Sequence, residues 1–330
     1  MVNNTYYPSA RSVVSVVLLL GFLLVPFVAG MTGEGYYITF TTRVMIMALA
    51  ASGLNIALGY GGMISLGHAL YLGIGAYAAG ICAFHGIHNG WAQLAIGLAA
   101  GGAVACVIGP ICLRTSGMAF IMITLAFAQM LYFLIVTLDD YGGDDGLSLT
   151  ARSTLPGLDV NNSTVFYYIA FAALMLTLFF TARMMNARFG RLIQGCKSNH
   201  RRMVTLGFAT LRYRLAAYVL SALVCVVAGF LLANLVRFAS PSYLTWMVSG
   251  ELMVMVILGG MGTVMGPVVG AVVILLIEEI FSNVSLGLPG NLDSLVNNHW
   301  TAILGVFIVI ATMSVKRGIY GSLPAGGRKP

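Results

Sequence analysis

Residues 215–235 read LAAYVLSALVCVVAGFLLANL, an apolar run of membrane-spanning length without a charge. A helix crosses the bilayer core with roughly 20 apolar residues. A barrel strand would instead alternate apolar and polar positions over about ten, so this run predicts a transmembrane helix. Working outward from it, similar runs occupy about 12–30, 38–59, 62–83, 91–113, 118–138 and 165–183 before it, and 247–258, 267–285 and 300–315 after it. Only 8% of residues are charged and 59% are hydrophobic. The expected fold is an all-α, polytopic bundle of about ten helices forming one membrane domain over residues 1–330. The eighth run is the weakest because it is short and ends in glycine.

The formal charge of +7 does not point to nucleic acid, because the cations cluster by position along the spans. Arg183, Arg188, Arg191, Lys197, Arg201, Arg202, Arg212 and Arg214 bracket the segment 184–214, and Lys316, Arg317, Arg328 and Lys329 fill the tail 316–330. The excess of positive charge places both on the cytoplasmic side. Segment 139–163 carries Asp139, Asp140, Asp144, Asp145 and Asp159 against Arg152 alone. Parity puts it outside and both termini inside; Arg11 and Arg114 then fall inside, with Glu34, His85 and His88 outside. The first run follows Arg11 and ends in Ala29 and Gly30, the outline of a secretory signal; it is read here as a span.

Cys82, Cys106, Cys112, Cys196 and Cys225 show no disulfide or metal spacing and are read as small apolar residues. The 40 glycines ask for a reason, since glycine disfavours helix. Gly97 and Gly101 lie four apart, as do Gly262, Gly266 and Gly270, a spacing that lets helix backbones approach in lipid. Gly59, Gly61 and Gly62 join spans two and three, and Gly259, Gly260 and Gly262 join spans eight and nine; such runs permit tight reversals or broken helices.

No nucleotide site is present: a P-loop needs Gly-Lys followed by Ser or Thr, and Lys197, Lys316 and Lys329 follow Cys196, Val315 and Arg328. No paired carboxylates, metal cluster or nucleophile constellation suggests an enzyme. Carboxylates inside spans are few. Glu251 is the best placed: it is either structurally paired, with Arg43 as a candidate counter-charge, or lines a solute path. Asn55, Ser65, His68, Thr124 and Gln129 are polar residues in apolar spans, which either cross-link helices or line a solute path.

Phe189, Leu192, Ile193 and Cys196 fall at helical spacing, with Arg191 and Lys197 off that stripe. A second short helix is expected after it, capped by Ser198 or Asn199 and stopped by Gly207. The pair is either a basic surface on anionic lipid or a docking element for a cytoplasmic ATPase.

The run GLNIALGYGGMISLGHA (53–69) resembles the entry to the membrane core of LivM-type permeases of branched-chain amino acid ABC importers. Three more runs agree in the same order: ITLAFA (123–128), Phe189-Gly-Arg through Leu206-Gly-Phe, and SGELMVMVILGGMGTVMGP (249–267). The similarity covers about residues 40–315. It implies a permease subunit of the bacterial inner membrane with a ten-helix importer architecture. Its implied partners are a LivH-type permease, two cytoplasmic ATP-binding subunits that hold ATP and Mg, a periplasmic solute-binding protein, the transported small molecule and membrane lipid. No cofactor is expected in this chain. The resemblance puts ATPase docking on Arg188, Phe189, Gly190, Arg191, Lys197, Asn199, Arg202 and Gly207. In one departure, Ser198-Asn-His-Arg-Arg-Met replaces the acidic-then-alanine lettering of importer loops. The alternative is a stand-alone, ion-coupled secondary transporter of small polar solutes.

Overall fold

A computed structural model describes residues 10–32, 35–149, 151–154, 160–283, 300–314 and 318–324. Glu34, Asp159, Lys316, Arg317, Arg328 and Lys329 lie outside them, as do the end of the ninth predicted span and the chain termini.

The helices are α1 (Ala10–Thr32), α2 (Gly35–Asn55), α3 (His68–Phe84), α4 (Gly90–Cys112), α5 (Met118–Val136), α6 (Ser163–Asn186), α7 (Arg188–Ser198), α8 (His200–Thr205), α9 (Thr210–Val236), α10 (Trp246–Gly259), α11 (Gly266–Asn283), α12 (Trp300–Ser314) and a last turn, Ile319–Ser322. Each predicted span overlaps one of them. By length and composition, six of these segments can cross a membrane alone, while α3 and α10 are shorter. Successive spans alternate in direction, so α7, α8 and the glycine junctions gather at one end of the bundle. Segment 139–149 lies at the other, where Leu147–Ser148 (β1) pairs antiparallel with Phe238–Ala239 (β2).

Helix α9 is the axis of the bundle, packed on α2, α3 and α4. Its neighbour α2 is almost wholly buried, whereas α1, α4 and α5 keep most of their surface outside and form the perimeter. Small residues make this closeness possible. A Cβ at Gly101 would stand 2.4 Å from Val226, and one at Gly97 would stand 3.1 Å from the Ala78 methyl. The four-residue glycine spacing therefore serves packing within the chain.

The expected third span needs correction. It was to begin near residue 62, but residues 61–67 are irregular and α3 starts only at His68. Asn55 is followed by a π-helical turn, Ile56–Tyr60, and the chain reverses at Gly62 with φ +66°. His68 then hydrogen-bonds Ser221, which lies eleven residues into α9, roughly 16 Å along its axis. The irregular stretch thus dips from the α7 end to mid-depth. Non-helical backbone is tolerated at membrane depth only where protein covers it, and Gly61, Met63, Ser65 and Gly67 are all buried. A matching stretch, residues 237–245, descends from the opposite end. Its Leu244 packs onto Gly73 inside α3 and it delivers the start of α10 to the centre.

The loop at the β1–β2 end is fastened by Arg152. Its guanidinium donates to the carbonyls of Asn234, Val160 and Asn161 and lies 4.8 Å from the centre of the Phe166 ring. Burial, with a smaller contribution from Arg237, lowers its pKa from the ordinary arginine value. Ser153 bonds Gln93 and Asn234 beside it. Arg152→Met removes the donor from the buried carbonyls of Asn234 and Val160; with unpaired buried polar groups costing about 1–3 kcal/mol each, the folded yield in detergent should fall at least about tenfold.

Candidate functional site

Two loci bear on function, one at the centre of the bundle and one at its α7 end. At the centre, α3 and α10 meet nearly head to head. The backbone N–H of Ala69, in the first turn of α3, donates to Oγ of Ser249 in the first turn of α10 at 2.9 Å. Both helices direct their first turns toward mid-depth. His68 is fully buried there. Its Nε2 pairs with Ser221 Oγ at 2.8 Å, while Nδ1 has no partner among the described residues. Ser221 donates onward to the Gly53 carbonyl. The His68 ring stands edge-on to Tyr71 and Tyr218, whose hydroxyls bond each other at 3.1 Å. Ser65 accepts from the Gly67 N–H. Thr124 bonds back to Ile121 in its own helix and backs onto Gly67.

Of the polar residues singled out in the sequence, Ser65, His68 and Thr124 are brought together around the irregular stretch. Gln129 is not; it lies half-buried on α5 without a side-chain hydrogen bond among the described residues. Glu251 lies in α10 with one carboxylate oxygen buried and without a hydrogen-bond partner among the described residues. Arg43 stands near enough to Glu251 to act on its charge, as expected, but its direct ion pair is with Glu278 at 3.5 Å. The physical reason is packing, because α11 lies along α2 over a longer contact than α10 does. Sequence reading missed Ser221 and Ser249, which pass as small residues in apolar runs, and it missed the Tyr71–Tyr218 pair.

The second locus is the amphipathic segment. Helix α7 buries Ile193 and Cys196 against α9 and the end of α6, and Phe189 stacks obliquely on Tyr213 at 6.2 Å. Gly190 lies so close to the Met185 backbone that a Cβ would come within 2.3 Å. Arg188, Arg191 and Gln194 face outward. Burial pushes the Cys196 thiol above its ordinary pKa, against a smaller opposing effect of Arg214. Asn199, not Ser198, caps α8 by accepting from the Arg202 N–H, and Gly207 takes φ +83° beyond its end. Arg202 is exposed.

Lys197 joins the amphipathic helix to the membrane core. Its ammonium donates to the Gly59 carbonyl at 2.6 Å, capping the π-helical turn. One turn back, Asn55 reaches across to the α10–α11 junction: Nδ2 donates to the Thr263 carbonyl at 2.8 Å and Oδ1 accepts from the Gly262 N–H at 3.0 Å. The glycine junctions named in the sequence are therefore clamped together, and α7 rests on the clamp. Among the described residues no group of three or more His, Cys, Asp or Glu could hold a metal ion.

Residues 36–313 match the family model described as the permease component of branched-chain amino acid transport systems. Two curated relatives are each 27% identical over 278 residues, 76% of this chain: the high-affinity branched-chain amino acid transport system permease protein LivM of Salmonella typhimurium LT2 and that of Escherichia coli K12. The alignment spans 65% of the length of those relatives.

Proposed function

Because the chain belongs to the family of branched-chain amino acid transport system permease components, we propose that it is the gate of an ATP-driven importer, worked from its α7 end by ATPases on separate polypeptides. The solute is a branched-chain or related amino acid. It passes along the bundle by alternating access, delivered by a periplasmic solute-binding protein, with a LivH-type permease as the second half of the gate. ATP and Mg stay with the ATPase subunits. The membrane is the bacterial inner membrane, with α7 on the cytoplasmic side.

One observation carries this reading. Helix α7 buries one stripe, offers Arg188 and Arg191 to the outside, and places Lys197 on the carbonyl of the turn that ends α2. A push on α7 is thereby applied to the junction from which the irregular stretch leads to α3. The centre suits a weakly held solute. It is built of hydrogen-bonded hydroxyls, Ser65, Ser221 and Ser249, rather than a cage of charges, and affinity can reside in the soluble receptor.

The chain, reconstituted in liposomes with its partner permease and ATPase subunits, should support receptor-stimulated ATP hydrolysis. Reversing the exposed charges, Arg188→Glu with Arg191→Glu, should lower that stimulation more than about tenfold, the loss of roughly 1.4 kcal/mol of coupling, while insertion is kept. Concentrative uptake by the purified chain alone, driven by an ion gradient, would refute the reading.

The ion-coupled alternative has a handle in Glu251, whose buried oxygen lacks a partner. Glu251→Gln keeps the shape and removes the ionisable proton. On the importer reading, receptor- and ATP-dependent uptake stays within about threefold of the parent; ion-driven uptake by the purified chain alone that Glu251→Gln abolishes would favour the alternative.

A further inference from the structure

A cavity of about 390 Å³ opens at the α7 end between the α4–α5 loop, the α7–α8 junction and the start of α9. Its wall carries Arg114, Lys197, His200, Arg201 and Arg214 and, among the described residues, no carboxylate. Lys197 is engaged by the Gly59 carbonyl. Arg114, His200, Arg201 and Arg214 make no side-chain hydrogen bond or ion pair among the described residues.

A cytoplasmic excess of cations explains why basic residues lie at this end, but not why they surround a concavity. Arg183 and Arg212, at the same end, are exposed and stand apart from this wall. Like charges facing one another across a few ångströms repel, and a walled recess concentrates their field. The site therefore calls for an anion.

Its depth and flanks say which one. Arg114 follows the end of α4 and Arg214 lies in the first turns of α9, so the cavity sits where helices emerge from the hydrocarbon. Beside its α4–α5 edge, Val107 and Ile111 on α4 and Met118 and Met122 on α5 are exposed apolar side chains, a track for acyl chains. Basic pockets between helix ends on the cytoplasmic side suit phosphate headgroups.

We propose that this cavity holds the phosphate of an anionic phospholipid, with its acyl chains along the outer faces of α4 and α5. The lipid offsets the repulsion between α9 and the α7–α8 junction and so helps to seat the amphipathic helix. The proposal depends on the chain's placement in the membrane and not on ATPase docking, so either can fail without the other.

The full-length chain would be reconstituted in phosphatidylglycerol–phosphatidylcholine vesicles and extracted in detergent, and the retained lipid quantified by mass spectrometry. Phosphatidylglycerol should be enriched at least about fivefold over the bulk ratio. Arg114→Gln with Arg214→Gln should return retention to the bulk ratio, whereas Arg183→Gln with Arg212→Gln, which removes the same charge from the same end, should leave the enrichment in place. If the first pair does not fold, Arg114→Lys with Arg214→Lys should retain most of the enrichment.

Absence of enrichment, or equal loss in both glutamine pairs, would overturn the proposal. So would displacement of the lipid by millimolar inorganic phosphate, which would mark a site for free anions. Release of the lipid when the ATPase subunits bind would overturn it as well, and would assign the cavity to an acidic side chain of that partner.

Discussion

Gly270→Ala is expected to abolish accumulation of the folded protein, whereas Gly250→Ala, one helix away, leaves it unchanged. A Cβ at Gly270 would stand 1.8 Å from the Met255 carbonyl oxygen and 3.0 Å from the Gly259 nitrogen. The neighbours are backbone atoms of α10, so no rotamer change relieves the clash. Gly259 faces back in kind, its own Cβ falling 1.8 Å from the Gly266 oxygen. Helices α10 and α11 therefore touch backbone to backbone, the arrangement that packing in lipid favours when small residues repeat every four positions.

Separating them by a methyl group loosens α11 from α10 and α2 together. Overpacking in a tight core costs about 1–3 kcal/mol, and a backbone clash belongs at or above the top of that range. Folded yield, measured as the monodisperse peak after extraction, should drop more than about tenfold. Gly250 has nothing within 4 Å of its Cβ position. Alanine there gains up to about 1 kcal/mol of helix propensity at no steric cost. Equal yields from the two variants would mean that α10 and α11 do not approach this closely.

Composition carried much of this fold, since continuous apolar runs locate helices whatever their packing. The stripe of α7 was also visible, because Phe189, Ile193 and Cys196 repeat at the period of a helix whose other side is wet. The breaks were harder to see. Residues 63–67 are apolar or small, so nothing in their hydropathy separates helix from irregular backbone; the glycines at 59, 61 and 62 signalled a junction but not its depth.

Pairing across the bundle was beyond periodicity altogether. The sequence offered Glu251 as the counter-charge of Arg43, and only the docking of α11 along α2 brings Glu278 within 3.5 Å of it. For the central site, His68 was readable as a polar residue that needs a partner. Ser221 and Ser249, the residues that meet His68 and the Ala69 N–H, look like ordinary small residues of apolar helices until the helices are brought together.

Asn55→Leu should leave a protein that inserts and folds yet loses more than about nine-tenths of its transport, because Asn55 is the tie between the two glycine junctions. Leucine keeps the branching at Cγ, and the rest of the buried face of α2 is untouched. What is lost is the donor to the Thr263 carbonyl and the acceptor for the Gly262 N–H. Each group left unpaired costs about 1–3 kcal/mol, enough to let the α10–α11 junction part from the end of α2. Gly59 adds to the constraint, since a Cβ there would strike Asn55 Oδ1 and come within 2.5 Å of the Gly262 nitrogen.

Asn55→Asp separates the two bonds, for it still accepts from Gly262 but faces the Thr263 carbonyl without a donor; it should be impaired as well. Lys197→Met removes only the ammonium on the Gly59 carbonyl and should have the smaller effect. If α7 acts through the clamp, the double variant Asn55→Leu, Lys197→Met will be no worse than Asn55→Leu alone in transport per ATP hydrolysed. Residues serving one linkage are non-additive, by about 0.5–3 kcal/mol. Fully additive losses would place Lys197 and Asn55 on separate routes, and the amphipathic helix would then have to reach the central hydroxyls by another path.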